Sequence, residues 1–373
     1  MFWRKRAGCI VSKFLFIIQG EGRGHLTQAI SLAQLLRANG HEVVAGLVGI
    51  GKGRQLPSFF YDSFPTDIHS FDSPHLIMGK RGISFSKTIT HHLFRIPLYV
   101  KSLQAIHTHV QHYQPDVIVN FYDVLGGLYA LTYRPTVPIV AVGHHYLFLR
   151  NDFIFPAKRS LDHWLLKINT RLTAIRAQKL LALSFYPTAI PTHQRIVTVP
   201  PLLRGTVKAL TPTQEPFFLV YVTYAAMSKT VIEWHLQHPE VNLHCFWDQP
   251  DRSFDATLTF HQVDGAKFLD MMARCTALVT TAGFESVCEA MYLEKPALMV
   301  PAHYEQACNA LDAQRAGAGI AAEAFDLSLL LNYLPKHVPA QAHFQEWCAQ
   351  ATPLFLAQLE EVALGKQVLV AFI

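Results

Sequence analysis

The chain has 373 residues, half of them apolar and 16% charged, which excludes a disordered polymer and favours two hydrophobic cores over one. Its net charge of +5, with histidine neutral, comes without any long Lys/Arg block or zinc-spaced Cys/His set, so a nucleic-acid binder is not indicated. The six cysteines (Cys9, Cys245, Cys275, Cys288, Cys308 and Cys348) include no C-x-x-C pair and read as reduced thiols of a cytoplasmic protein.

Trp3-Arg4-Lys5-Arg6 followed by Phe14–Ile18 has the layout of a signal peptide. However, Ser12 and Lys13 interrupt it, no small-residue cleavage site follows, and the run is too short to span a bilayer. Lys13–Gln19 is therefore expected to be a buried first strand. A turn containing Gly20, Gly22 and Gly24 leads into Leu26, Ala29, Ile30, Ala33 and Leu36 at helical spacing, with a stop at Asn39-Gly40. Val43–Val48 is the next strand and completes a βαβ unit. Asp116–Asn120 and Ile139–Val142 continue the alternation.

Residues 145–185 interleave Arg150, Lys158, Arg159, Lys167, Arg171, Arg176 and Lys179 with Phe, Trp and Leu, a pattern read as one or two amphipathic helices. With Trp3–Arg6 they form either a seat on an anionic membrane leaflet or ordinary solvated helix faces. Pro200-Pro201, Pro212 and Pro216 mark a linker, after which strands are expected at Phe217–Val222, Leu243–Trp247, Ala277–Thr280 and Ala297–Val300. The expected fold is α/β, with two Rossmann-like domains facing across a cleft. Residues 1–203 would be an acceptor domain and residues 204–373 a nucleotide-sugar domain, the last helix being free to pack back on the first.

In the second half, a strand ends near Thr280, Gly283 allows a tight turn, and a helix begins around Glu285–Ser286. An open helix N-terminus suits a diphosphate without a metal, and Glu289, one turn further in, suits two ribose hydroxyls. Glu305, Gln306 and Asn309 follow the strand Pro296–Pro301, where an acid–amide pair suits the hydroxyls of a pyranose. Singly, Gly283 is a turn, Ser286 an N-cap and Glu289 a surface acid; the ordered set is more specific.

Gly283-Phe284-Glu285-Ser286, Glu289, Pro301 and Glu305-Gln306 together resemble the donor signature of the GT-B glycosyltransferases that use UDP-sugars. They are also similar to the transferase that adds N-acetylglucosamine to the peptidoglycan lipid precursor. Ala282–Ala290 and Tyr304–Ala310 reproduce the A-G-F-E-x-x-x-E-A and Y-E-Q-x-x-N-A patterns of a less characterised bacterial and archaeal group. The resemblance implies that Thr281, Gly283 and Ser286 meet the diphosphate and Glu289 the ribose. It further implies that Glu305, Gln306 and Asn309 meet the donor sugar and that Arg204 meets the phosphates. A free arginine there also answers the charge of a departing diphosphate. Two departures stand out: Thr223–Ser228 replaces the usual Gly-Ser loop, and Glu305 replaces the commoner Asp. A base-stacking segment falls around His261–Ala266.

In the first half, Gly22-Arg23-Gly24-His25 resembles the GT-B acceptor-side turn, where glycines admit acceptor and sugar closely, which gives Gly24 to donor binding, and a histidine acts as general base on an acceptor hydroxyl. A helix N-terminus disfavours the imidazolium and keeps such a ring able to take a proton; the plain alternative is that His25 caps the helix. Asp123, past the strand Asp116–Asn120, is the candidate orienting acid, with Glu21 as the alternative; a helix N-cap is the structural reading of Asp123.

The sequence contains no D-x-D metal-binding pair. The expected chemistry is therefore an inverting, metal-independent and cofactor-free transfer of a sugar from a UDP-type donor to a hydroxyl acceptor, a lipid-linked one included. Two rivals differ in class: a UDP-sugar epimerase, which would turn over the donor with no acceptor present, and a non-catalytic nucleotide-sugar or glycolipid binder.

Overall fold

A computed structural model of the chain describes residues 11–51, 54–74, 78–79, 82–83, 92, 94–157, 161–188, 195–222 and 225–371. Trp3–Arg6, Cys9, Lys158, Arg159, Thr223 and Tyr224 lie outside the described residues.

The first seven-stranded sheet is wholly parallel. Its strands are β1 (Lys13–Gln19), β2 (Glu42–Ile50), β3 (Ile68–Asp72), β6 (Val117–Phe121), β7 (Ile139–Val142), β8 (Lys179–Leu183) and β9 (Ile196–Val199). The short hairpin strands β4 (Met78–Gly79) and β5 (Gly82–Ile83) pair only with each other. The order β3-β2-β1-β6-β7-β8-β9 reverses between β1 and β6, which makes their carboxyl ends the topological switch point. Phe14 through Ile18 are fully buried, as a strand covered on both faces requires. Helix α1 (Gly24–Ala38) buries the stripe Leu26, Ala29, Ile30, Ala33 and Leu36, and Gly40 ends it in the left-handed region at φ +88°. The other helices of this half are α2 (Ser58–Ser63), α3 (Ile96–Tyr113), α4 (Val124–Thr132) and α5 (Leu161–Thr173).

The second sheet runs β12-β13-β11-β10-β14-β15-β16. It is built from β10 (Phe218–Tyr221), β11 (Leu243–Trp247), β12 (Arg252–Ser253), β13 (Leu258–Gln262), β14 (Ala277–Thr280), β15 (Ala297–Met299) and β16 (Gly319–Ala321). All pairings are parallel except the edge pair β12–β13, and the switch point lies between β10 and β14. Its helices are α6 (Gly205–Lys208), α7 (Ala225–His235), α8 (Gly265–Arg274), α9 (Phe284–Tyr292), α10 (Tyr304–Arg315), α11 (Leu327–Tyr333) and α12 (Gln341–Ala349). The last helix is α13 (Ala351–Ala371). The protein is thus built from two Rossmann-like domains.

The division into two compact units is discontinuous along the chain. One unit holds Met1–Phe153, Leu165–Leu202 and Gln350–Ile373; the other holds Ile154–Trp164 and Leu203–Ala349. Apart from the boundary near residue 203, Ile154–Trp164 crosses to the second unit, which the sequence did not suggest, and α13 belongs to the first. Helix α13 buries Phe355, Leu359, Val362 and Ala363, and Glu360 accepts a hydrogen bond from His41 Nε2 at 3.1 Å. Residues 145–185 are also not simply amphipathic helix. A 3₁₀ segment (His144–Leu149) and α5 are followed by β8, whose Leu180–Leu183 are buried inside the sheet. The basic residues between the apolar ones masked a short strand with charged flanks. Among the described residues no helix is long and apolar enough to cross a membrane.

Candidate active site

At the switch point of the second sheet, β14 ends at Thr280, and Thr281-Ala282-Gly283 turns into α9. The left-handed residue of this turn is Ala282 at φ +63°, not Gly283, whose φ of −61° any residue can adopt. A Cβ on Gly283 would meet only Ser286 Oγ, at 3.5 Å, so neither backbone conformation nor protein packing demands glycine there. Gly283 is the N-cap of α9 and brings no capping side chain. Ser286 Oγ donates back to the Gly283 carbonyl at 3.0 Å and lies 3.2 Å from Thr280 Oγ1.

Glu289, one turn into α9, is 3% exposed, and burial raises its pKa. Arg204, expected as a free cation, is instead paired with it: Nε donates to Glu289 Oε1 at 2.8 Å, with a second bond from Nη2. The pairing follows from burial, since a carboxylate this deep requires a counter-charge. Gly265, the first residue of α8, is so close that a Cβ would lie 3.8 Å from Arg204 Nη1. This brings the segment His261–Ala266 beside Arg204. His261 is buried and hydrogen-bonded to His244 at 3.0 Å and to Lys267 Nζ at 3.0 Å; burial first, then the nearby Lys267 and His244, push its pKa down to about 4.

Glu305 and Gln306 lie in the first turn of α10 rather than in a strand-end loop. Gln306 Nε2 donates to Thr281 Oγ1 at 3.2 Å, while its Oε1 accepts from Ala302 N at 2.9 Å. Asn309 Nδ2 donates to Ala282 O at 3.3 Å and to Glu305 Oε1 at 3.2 Å. One hydrogen-bonded patch therefore joins Thr281, Glu305, Gln306 and Asn309, and an adjoining ion pair joins Arg204 and Glu289.

In the first unit, the turn after β1 approaches β2 so closely that a Cβ on Gly20 would lie 2.7 Å from Gly49 O; Gly22 adopts φ +84°. Backbone geometry thus accounts for both glycines. Gly24 and His25 begin α1. The His25 ring stacks on Tyr122 (centroids 5.7 Å apart) and lies 5.6 Å from His145, and Tyr122 stacks on His145 at 3.7 Å. Tyr122 and His145 were missed in the sequence; the available signal was their position just past the carboxyl ends of β6 and β7.

The carboxylate of Asp123 is not bonded to His25. Its Oδ1 caps α4 by accepting from Leu125 N at 2.8 Å, and its Oδ2 accepts from Ser73 Oγ at 2.9 Å. Asp123 is 1% exposed; burial lifts its pKa to about 6 against the opposing hydrogen bonds of Ser73, Leu125 and Gly126. Asn120 Oδ1 accepts from Asp123 N at 3.1 Å and Asn120 Nδ2 donates to Asp123 O at 3.0 Å, which clamps the turn holding Tyr122 at φ +58°. Glu21 Oε1 accepts from Gly51 N at 3.1 Å, and the same carboxylate pairs with Arg54.

Two doubly wound units, each with a polar turn at its switch point, have the two-domain GT-B architecture. The chain belongs to glycosyl transferase family 1, whose family model matches residues 12–338. Among solved structures, Phytolacca americana UGT2 complexed with UDP-2fluoro-glucose and pterostilbene is 13% identical, with a TM-score of 0.64 over 95% of this chain and 100% of that one. SnogD from Streptomyces nogalater is 14% identical, with a TM-score of 0.56 over 94% and 100%. The glycotransferase of kitacinnamycin is 15% identical, with a TM-score of 0.61 over 94% and 99%. At these identities the likeness concerns the fold. No curated protein matches the chain in sequence.

Proposed function

We propose that the protein transfers a sugar from a UDP-type donor to an acceptor hydroxyl, with inversion and without a metal. The observation that carries this reading is the α9 N-terminus. Gly283 leaves it without a capping side chain or an occupying Cβ, and the Arg204–Glu289 pair lies one turn away. The helix dipole and the guanidinium then meet diphosphate charge, worth more as the leaving group departs than in the bound donor. Thr281 and Ser286 serve the diphosphate, Glu289 the ribose, and Glu305, Gln306 and Asn309 the sugar. That UGT2 was solved with a UDP-sugar supports the donor class.

On the acceptor side, His25 takes the proton of the hydroxyl, whose oxygen attacks the anomeric carbon as the nucleoside diphosphate leaves with the electron pair of the broken bond. Asp123 acts as a positioning residue: its carboxylate anchors Leu125 N and Ser73 beside the turn that Asn120 clamps and whose Tyr122 ring stacks on His25. A lipid-linked acceptor, used at the cytoplasmic face of a membrane, is favoured by α5, which exposes Leu161 and Trp164 on the same side as the basic Arg171.

The test is a thermal-shift screen of nucleoside diphosphates and UDP-sugars, followed by UDP release with lipid and sugar acceptors. A ligand at about 100 times its Kd should add about 2.7 kcal/mol of stability. The donor reading fails if no nucleoside diphosphate raises the Tm. UDP-sugar turnover without an acceptor would favour an epimerase, and a product of retained anomeric configuration would exclude the single displacement.

A further inference from the structure

Ile154–Trp164 precedes the proline cluster by some forty residues but belongs to the second unit. Three rings dock it there. Phe155 and His163 meet edge to face at 4.5 Å, His163 and Tyr304 do so at 5.8 Å, and His163 Nδ1 and Tyr304 Oη are hydrogen-bonded at 3.0 Å. Tyr304 is the first residue of α10, directly before Glu305 and Gln306. That helix start lacks the usual anchor, because its N-cap His303 makes no side-chain capping bond. Lateral contacts help hold the first turn: Gln306 bonded to Ala302 N and Thr281, Asn309 bonded to Glu305, His303 paired with Glu305 at 3.8 Å, and Tyr304 bonded to His163.

We infer that His163 is a positioning residue for donor-sugar selection: by fixing Tyr304 it sets the angle at which Glu305 and Gln306 are offered to the sugar hydroxyls. A carboxylate reading a pair of vicinal hydroxyls is sensitive to orientation, whereas Arg204 and Glu289 pair with each other on other elements, and α10 meets the diphosphate turn through Gln306 and Asn309 rather than through Tyr304. Loss of the His163–Tyr304 bond therefore acts on recognition of the sugar and spares that of the nucleotide. The inference rests on the donor site proposed above.

The experiment compares His163→Ala, His163→Asn and Tyr304→Phe with the wild type. The affinity for UDP is measured by calorimetry, and KM and kcat are measured for UDP-glucose, UDP-galactose and UDP-N-acetylglucosamine. The expected result for His163→Ala and Tyr304→Phe is a KM about three- to tenfold higher for the preferred UDP-sugar, the scale of one hydrogen bond. Discrimination among the three sugars should narrow, UDP affinity should stay within about twofold, and His163→Asn, which retains an acceptor for the tyrosine hydroxyl, should recover most of the loss. UDP affinity falling in step with KM, or no change in either, would overturn the inference. A wild type that binds no UDP at all would remove the donor-site reading itself.

Discussion

Asp123 shows how one buried carboxyl couples the first unit to pH. Its pKa moves from 3.8 to about 6 on folding. A carboxyl raised in this way contributes stability that is fully present below the unfolded value and lost as pH rises through about 6. The difference amounts to roughly 3 kcal/mol at most. Urea unfolding should show this loss between pH 4 and 7, and Asp123→Asn, which keeps the cap, should flatten the slope; an unchanged slope would show that other groups cause it. Arg204→Ala leaves the Glu289 carboxylate buried without its cation and should cost about 2–3 kcal/mol, less than a fully buried pair because Arg204 is partly solvated. Adding Glu289→Gln should restore part of that urea midpoint. Gly283→Ala is the converse case. With only ordinary contact awaiting its Cβ, it should cost no more than about 1 kcal/mol, the scale of Ala for Gly at an N-cap, while weakening UDP binding measured by calorimetry. A strand, a turn at Gly283 and a helix carrying Glu289 were legible in the sequence, because residue type and close spacing are local signals. The ion pair with Arg204, 85 residues away, was not, because spacing along the chain carries no record of contact in space.

At the scale of elements, packing decided what local pattern left open. Helix α4 lies against α5 so tightly that a Cβ on Gly127 would come 1.8 Å from Leu172 O. Gly127→Ala must force the backbones apart and should cost about 1–3 kcal/mol or more, read as a lower urea midpoint; a neutral effect would contradict the packing. Strands β1, β7 and β14 were evident as near-continuous apolar runs, the mark of a strand covered on both faces. By contrast, β8 lies inside a basic stretch, β13 alternates with polar residues, and β16 is three residues long, so their membership depends on neighbouring strands rather than on their own composition.

Across the whole molecule, the chain's order and the membership of its units part company. Removing residues 351–373 should destabilise the first unit, since Phe355, Leu359 and Val362 are buried there and each contributes about 1.5–3 kcal/mol. Hydrogen exchange should then speed up in β1, β2 and β6 while β10 and β14 keep their protection; equal loss in both sheets would refute this assignment of α13. The alternation of apolar runs with helical stripes determined by itself that the protein has two doubly wound sheets, because burial on both faces of a parallel strand leaves a direct compositional trace. The turn and helix start at Gly283 were equally visible, since they are neighbours in the chain. Only the tertiary structure decided that Arg204 is paired, that Tyr122 and His145 stack around the His25 ring, and that Ile154–Trp164 docks on the second unit. Each of these depends on contacts between distant residues, which folding creates and local sequence does not encode.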